Sequence, residues 1–332
     1  MPRTPEYRDR PLNGRWLSSV ACALLIVLGL GGTASAQLKG HYIPGFTGLD
    51  NGTQPQPSIT VAMPFYFYPT DTIKDGDGQT VGVHPTIKVA FTGLSVIAVT
   101  NAKLFGGSYG FQVVPVDAMR SRIESNSLDV PGSFAFSDIT VMPLWLGWHK
   151  PRADFSAAWS FFVPTGKWED GGSENSGLGM WSHDFQLGTT VHLDSKREWS
   201  TSLLGTYEIH THKQDSDVKV GDILTLEGGT GRAFYEKVSG EAIPRVINVG
   251  IVYYAEFKVT ADEGAGPLLD EFFADNKDLV FGVGAEVSVF LPKPKLLLDA
   301  RVVPEFGAHT RTQGLSFLFT VGYQLKSLAK RP

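Results

Sequence analysis

The segment 279–291 reads LVFGVGAEVSVFL and alternates, residue by residue, between apolar side chains and small or charged ones. The same alternation returns in LLLDARVVPEF at 296–306 and in LSFLFTVGYQL at 315–325. A period of two places successive side chains on opposite faces of an extended chain, so it predicts β-strands. We therefore expect consecutive strands joined by turns at this end of the chain.

The polar faces of these strands distinguish between two architectures. A soluble sandwich buries its apolar face and shows its polar face to water, whereas a membrane barrel turns its apolar face to lipid. Strands of about 11 residues suit a tilted crossing of the bilayer. The polar faces carry Glu286, Asp299, Arg301 and Glu305 among glycines and serines, a composition suited to a lumen that contains water. The sequence thus predicts an all-β fold, a transmembrane antiparallel β-barrel.

The N-terminal residues predict export. Four arginines from Arg3 to Arg15 precede the apolar run Leu17–Leu30, and Ala34-Ser35-Ala36 supplies a small-residue cleavage site. This is the pattern of a secretory signal peptide, with a retained anchor as the alternative. The only cysteine, Cys22, lies in this segment, so the rest of the chain forms neither disulfides nor thiolate metal sites. The formal net charge of −5 does not indicate nucleic acid as a partner.

The domain organisation follows from these patterns. Residues 1–36 are assigned to the signal peptide, 37–57 to an irregular N-terminal periplasmic arm, 58–326 to the outer-membrane barrel and 327–332 to a C-terminal tail. Alternation divides the barrel into about twelve strands, and an even number is usual for single-chain outer-membrane barrels. The longer connections then fall on the extracellular side. The residues Trp145, Trp148 and Trp199 are expected near the periplasmic interface, with Trp145 turned outward to lipid.

The arm is a candidate plug. Residues 37–56 read QLKGHYIPGFTGLDNGTQPQ, which is rich in Gly, Pro and Asn and has no periodicity. Its position before the first strand allows it to enter the mouth of the barrel. The candidate plug residues are His41, Tyr42 and Phe46.

Charged and histidine side chains on the inward faces are the candidate lining of a transit path. The alternative is a ladder of charges that stabilises the interior, since an unpaired buried charge is costly. The row Glu208, His210 and His212 has residue types that hold zinc, but no further segment offers an obvious ligand. Neither a metal nor a cofactor is therefore predicted. The candidate lumen residues are Glu208, His210, His212, Glu227, Glu256, Lys258, Glu286, Asp299, Arg301 and Glu305.

Several segments resemble the family of outer-membrane transporters named for the meta-pathway of phenol degradation, which is similar to hydrophobic-substrate channels of the fatty-acid type. The resemblance implies uptake of aromatic or other apolar small molecules, and it implies no catalytic residues. The segments are GHYIPG at 40–45, LFGGSYGFQVVP at 104–115, FSDITVMPLWLGW at 136–148, FFVPTGKW at 161–168 and GTYEIHTHKQDSDVKVGDILTLEGG at 205–229.

Three functional hypotheses follow. The first is a passive channel for small hydrophobic, aromatic compounds in the outer membrane of a Gram-negative bacterium. Its partners would be outer-membrane lipid, these solutes and, during insertion, the barrel-assembly machinery. The second is a structural or surface-binding barrel with a filled lumen. The third, a membrane hydrolase, needs a Ser/His pair within reach on the lipid-facing surface, and the sequence has no G-x-S-x-G motif. An enzyme is therefore not predicted.

Overall fold

The computed structural model describes residues 39–82, 84–125, 128–132, 134–170, 172, 175–241, 243–264 and 277–329. The predicted signal peptide, residues 1–36, lies outside them. Among the described residues, no helix has the length and apolar character needed to cross a membrane.

Within this part of the chain, twelve long strands pair antiparallel with their neighbours in chain order. Strand β1 also pairs with β12, from Ser58 opposite Ser327 to Phe67 opposite Phe317, and so closes the barrel. This confirms the predicted fold. The strands are β1 (Ser58–Thr70), β2 (Thr86–Leu104), β3 (Gly107–Ser125), β4 (Ile139–His149), β5 (Ala153–Val163), β6 (Ser182–His192), β7 (Trp199–His210), β8 (Ile223–Glu236), β9 (Arg245–Lys258), β10 (Leu279–Leu291), β11 (Leu296–His309) and β12 (Leu315–Ser327).

Short strands extend two parts of the barrel on the extracellular side. Thr72–Ile73 pairs with Thr312–Gln313, while Leu128–Pro131 and Ala135–Phe136 both pair with β3. Strand β12 ends at Ser327, one residue beyond the predicted barrel boundary. These additions leave the twelve-strand closure unchanged.

The burial pattern is the reverse of that in a soluble protein. On the outer surface Phe65 lies opposite Phe319 and Phe67 opposite Phe317, with each side chain about two-fifths exposed. The inward-facing Glu227, by contrast, has no exposed surface. Apolar side chains outside and polar ones inside are the arrangement of a barrel that faces lipid.

A β-bulge in β4 overturns one predicted orientation. The register between β4 and β5 shifts between Val141 and Leu144, and the extra residue reverses the alternation beyond it. Trp145 then lies opposite the buried Ala158 and faces the lumen. The prediction that Trp145 faces lipid is therefore wrong. Trp148 lies opposite the exposed Phe155, on the outer face.

The turn between β6 and β7 is held by Asp194. Its carboxylate accepts hydrogen bonds from the backbone N–H groups of Trp199 at 2.6 Å, Lys196 at 2.8 Å and Glu198 at 3.2 Å. These hydrogen bonds lower the pKa of Asp194 below its ordinary value, and the bond from Trp199 has the largest effect. The ionised carboxylate thus satisfies several donors of a turn that would otherwise rely on water.

We expect Asp194→Ala to lower the thermal unfolding midpoint by roughly 2–4 °C at pH 7, a small loss of stability. Because the folded-state pKa is depressed, this stabilisation exists above the unfolded-state pKa and is lost as the pH falls through the folded-state value. The difference between parent and variant should therefore shrink in acid. Thermal melts in detergent, followed by circular dichroism at pH 7 and in acid, measure this difference. An unchanged midpoint at pH 7 would contradict the prediction.

Candidate functional site: the barrel interior

The N-terminal arm, residues 39–57, runs through the lumen. Near its beginning His41 contacts Asp138 and Ser182, beside the extracellular ends of β4 and β6. Near its end Thr53 Oγ1 donates to Asp154 Oδ2 at 3.1 Å, beside the short turn between β4 and β5. The arm, expected on the periplasmic side, therefore has only its last residues there. Most of it lies inside the barrel.

His41 anchors the extracellular end of the arm. Its Nε2 lies 2.8 Å from Asp138 Oδ2, and its backbone N–H donates to Glu208 Oε1 at 2.7 Å. The imidazole stacks on Phe162 with ring centroids 4.6 Å apart. Both carboxylates are almost fully buried, and hydrogen bonds to buried carboxylates are stronger than those between neutral groups.

Ser182 completes a series with the residue types of a serine hydrolase triad. Its Oγ lies 2.7 Å from His41 Nδ1, while His41 Nε2 faces Asp138. However, Ser182 has no exposed surface, and its Oγ also lies 2.8 Å from His210 Nδ1. A nucleophile must reach its substrate, and the hydrolase hypothesis required a pair that faces lipid. This series faces the lumen and holds the arm.

Glu227 anchors the middle of the arm. Its side-chain oxygens accept hydrogen bonds from the hydroxyl groups of Tyr42 and Thr47 and from the backbone N–H of Gly45, the last at 2.6 Å. The backbone carbonyl of Glu227 accepts a bond from Asn51 Nδ2 at 3.0 Å. The carboxyl group is fully buried, so the arm supplies the hydrogen bonds that a buried polar group requires.

Arg301 on β11 and Glu286 on β10 also anchor the arm. Arg301 donates to the carbonyl oxygens of Gly45 at 3.2 Å and Phe46 at 2.5 Å. It also pairs with Glu286 at 2.7 Å, and Glu286 accepts the backbone N–H of Leu49 at 2.9 Å. The guanidinium thus bridges two carboxylates, since Asp299 lies 2.8 Å from it as well.

Glycines allow the arm to pass close to the wall. A Cβ on Gly52 would overlap backbone atoms of Thr189, and a Cβ on Gly48 would overlap the Glu286 carboxylate. Facing glycines on β8 and β9 form a seat for Leu49, which packs against Val252. These wall glycines are Gly229, Gly231 and Gly250.

The remaining predicted lumen residues are paired with other wall residues. Glu256 bonds to Arg311, and Lys258 pairs with Asp262 at 2.9 Å and Asp278 at 3.2 Å. Glu305 accepts hydroxyl bonds from Tyr68 at 2.5 Å and Tyr254 at 2.8 Å. Glu256 and Lys258 thus have charged partners, whereas these partners of Glu305 are hydroxyl groups.

His212 departs from the prediction. Strand β7 ends at His210, so alternation no longer determines which way residue 212 faces. The side chain of His212 is exposed, and its backbone forms an isolated antiparallel β-bridge with Lys219 in the following loop. It therefore does not extend the inward row of Glu208 and His210. Among the described residues, no group of three or more His, Cys, Asp or Glu side chains has the geometry of a metal site.

The predicted site residues did not include Asp138, Arg311 or Ser182. Asp138 precedes β4, and Arg311 follows the end of β11. Arg311 carries no alternation signal, because it lies outside the regular strands, whereas alternation back from Thr140 places Asp138 inward. Ser182 does begin β6, and the alternation of Phe185 and Leu187 outward would have placed it inward.

The comparisons with known proteins agree with this architecture. The family model described as "Putative MetA-pathway of phenol degradation" matches residues 70–321, which is more than half of the chain. No curated protein matches the sequence. The COG4313 outer membrane channel from Pseudomonas putida F1 has a similar structure, with a TM-score of 0.67 and 13% identity over 85% of this chain and 99% of that chain.

Two further solved structures match with TM-scores below 0.5. The beta domain of the Bordetella autotransporter Brka has a TM-score of 0.46 and 10% identity, covering 81% of this chain and 100% of that chain. A Pseudomonas aeruginosa FadL homologue has a TM-score of 0.35 and 11% identity, covering 81% of this chain and 91% of that chain. At 13% identity, the similarity to the Pseudomonas putida channel establishes the fold alone.

The lipid-facing exterior and the closed twelve-strand barrel make this an integral outer-membrane protein of a Gram-negative bacterium. The Pseudomonas putida structure of similar fold is described as an outer membrane channel and not as an enzyme. The resemblance found in the sequence is confirmed by the family model. The chain belongs to the family described as "Putative MetA-pathway of phenol degradation".

Proposed function

We propose that the barrel is a channel for small hydrophobic compounds, aromatic ones in particular, and that the arm is its plug. The observation that carries this proposal is the arm itself, which follows the lumen from His41 to Thr53 and bonds to the walls along the way. A twelve-stranded barrel has a narrow interior, so such an arm controls any path through it.

The nature of the interior supports an apolar solute. Its charges are arranged in pairs, such as Arg301 with Glu286, and paired charges offer little to a charged solute. Aromatic rings flank the arm, with Phe46 against Phe91 at 6.4 Å and His41 stacked on Phe162. Ring faces and edges are suitable contacts for another aromatic ring. The description of the family, which concerns phenol degradation, supports the same class.

Uptake of radiolabelled phenol and toluene tests the function, in cells that lack the protein and in cells that regain it. We expect the restored cells to accumulate label several-fold faster at low solute concentration. Gly52→Ala should increase this rate further, because the added Cβ would overlap the Thr189 backbone and displace the arm. The matched control is Gly82→Ala, since a Cβ there meets nothing within 4 Å.

The outcomes separate the channel from its competitor. Equal uptake with and without the protein would contradict the channel. A structural barrel with a filled lumen is favoured by the dense bonding of the arm, especially at the fully buried Glu227. That alternative predicts that Gly52→Ala lowers stability and leaves uptake unchanged.

A further inference from the structure

Strands β2 and β3 present an apolar surface to the lumen. Phe91 contacts Phe46 of the arm and so faces inward, and Met119 lies opposite it. Gly93, two residues after Phe91, faces the same way. A Cβ on Gly93 would lie 3.1 Å from Val114 Cγ1, which places Val114 on this side as well. We call the four wall residues Phe91, Gly93, Val114 and Met119 the apolar face.

The apolar face borders space that the protein leaves unfilled. Phe91, Val114 and Met119 point into the barrel, yet each keeps part of its surface exposed. Phe46, the arm residue in contact with Phe91, is also partly exposed. By contrast, Glu208, which bonds to the arm from β7, is only 1% exposed. The lumen is therefore filled where the arm is bound and open beside the apolar face.

The hydrogen bonds of the arm explain this difference. In the described part of the chain, those that reach the wall go to strands β4 to β8, β10 and β11 and to Asp138, which precedes β4. None of these partners lies on β2 or β3. The ring of Phe46, with its centroid 6.4 Å from that of Phe91, borders the apolar face from the side of the arm. The docked arm thus leaves this face available to a solute.

Asp117 places one polar group within the apolar face. It faces inward, directly opposite Gly93 and two residues before Met119. The residue is only 7% exposed, and its Oδ1 has no hydrogen-bond partner among the residues that the structure describes. That oxygen lies 3.7 Å from the position of a Cβ on Gly93, so the side of β2 does not cover it. A buried oxygen without a partner is costly and favours a ligand that supplies a hydrogen bond.

These features match an aromatic ring that carries a hydroxyl group. The rings of Phe46 and Phe91 offer faces and edges to another ring. Asp117 is the diagonal cross-strand neighbour of Phe91, and such neighbours are about 7–8 Å apart, a distance that one ring and its hydroxyl group can span. A hydroxyl group both donates and accepts, so it can bond to the carboxyl oxygen whether or not Asp117 is ionised.

We propose that the apolar face and Asp117 form a binding site on the solute path, at which Asp117 selects aromatic compounds that carry a hydroxyl group. The ring lies between Phe46 and the apolar face, and its hydroxyl group bonds to Asp117 Oδ1. This inference rests on the proposed function and narrows its substrate class to phenolic compounds.

Isothermal titration calorimetry of the purified protein in detergent tests the proposal with phenol and with toluene, which has a methyl group in place of the hydroxyl. Asp117→Leu keeps a similar volume and removes the polar atoms. We expect it to raise the Kd of phenol about tenfold, the effect of one hydrogen bond, and to leave that of toluene unchanged. The matched control is Asp184→Leu on β6, because Asp184 is also buried and has an unpartnered Oδ1 among the described residues. This control should bind both solutes like the parent.

Two further measurements keep the test decisive if Asp117→Leu folds poorly, as judged by heat-modifiable gel mobility. Gly93→Ser brings a hydroxyl group beside Asp117 Oδ1 and should weaken phenol binding more than toluene binding. Phenol should also slow maleimide labelling of Val114→Cys several-fold. If both solutes bind the parent and neither Asp117→Leu nor Gly93→Ser changes the ratio of their Kd values, this inference alone is overturned. If neither solute binds the parent, the proposed function fails with it.

Discussion

Replacement of residues 40–53 by a Gly/Ser segment of equal length is expected to raise the single-channel conductance of the barrel several-fold. The replaced residues include His41, Thr47 and Leu49, which bond to the walls at Asp138, Glu227 and Glu286. Without these bonds the segment pays the full entropy of confinement and leaves the lumen. Planar-bilayer recordings of purified protein, with and without toluene, measure the change.

Gln54 is retained in this replacement because its side chain is fully buried and donates to the carbonyl of Trp145 at 2.8 Å. The junction with β1 therefore stays intact. The control is the same conductance measurement on the Gly82→Ala variant. The heat-modifiable gel mobility of each protein establishes that it is folded. Conductance that remains at the parent value in a folded barrel would mean that residues 40–53 do not close the path.

The second large effect is expected for Glu227→Ala. The substitution removes the acceptor shared by Tyr42, Gly45 and Thr47. A hydrogen bond contributes about 1 kcal/mol net, so the three lost bonds amount to about 3 kcal/mol, which corresponds to a factor of roughly 100 in an equilibrium. We therefore expect the arm to leave the lumen on the order of 100 times more often.

Labelling of an introduced cysteine measures this opening. The sequence has only Cys22, within the predicted signal peptide, so Phe46→Cys provides a single reporter on the arm. A maleimide should label it about 100-fold faster in the Glu227→Ala background. Glu227→Gln should give an intermediate rate, because the amide keeps one of the two acceptor oxygens.

The matched control for this series is Glu236→Ala. Glu236 lies on the same strand, is exposed, and pairs with Arg245 at 2.9 Å and not with the arm. It should label at the parent rate. If Glu227→Ala also labels at the parent rate, Glu227 does not hold the arm, and its bonds to Tyr42 and Gly45 are incidental to docking.

The orientation of strand residues was predictable because alternation is local. In β10 the inward placement of Glu286, and in β8 that of Glu227, follow from the period of two, and both residues are buried in the barrel. Prediction failed where the period breaks. The bulge at Val141–Leu144 turned the side chain of Trp145 from the predicted lipid-facing side to the lumen. Strand β7 ends before His212, so alternation does not determine which way that residue faces. Neither event leaves a mark in the hydrophobic pattern.

The path of the arm was not predictable to the same depth. His41 and Glu208 are 167 residues apart in sequence, and Leu49 and Glu286 are 237 apart. Such partners meet only after the barrel closes. The composition of the arm indicated irregular structure and suggested a plug, but it contained nothing that identified Glu227 or Arg301 as the anchors.

The sequence by itself determined the all-β class, the approximate strand number, the lipid-facing and lumen-facing sides of most strands, and the family. All of these depend on side chains within one strand or on local sequence segments. Only the tertiary structure decided that the arm runs the length of the lumen, that Ser182 and His41 form an anchor, and that Asp117 lies opposite Gly93 on the lumen side. Those contacts join residues on different strands or on the arm, and their positions depend on strand register, bulges and closure of the barrel.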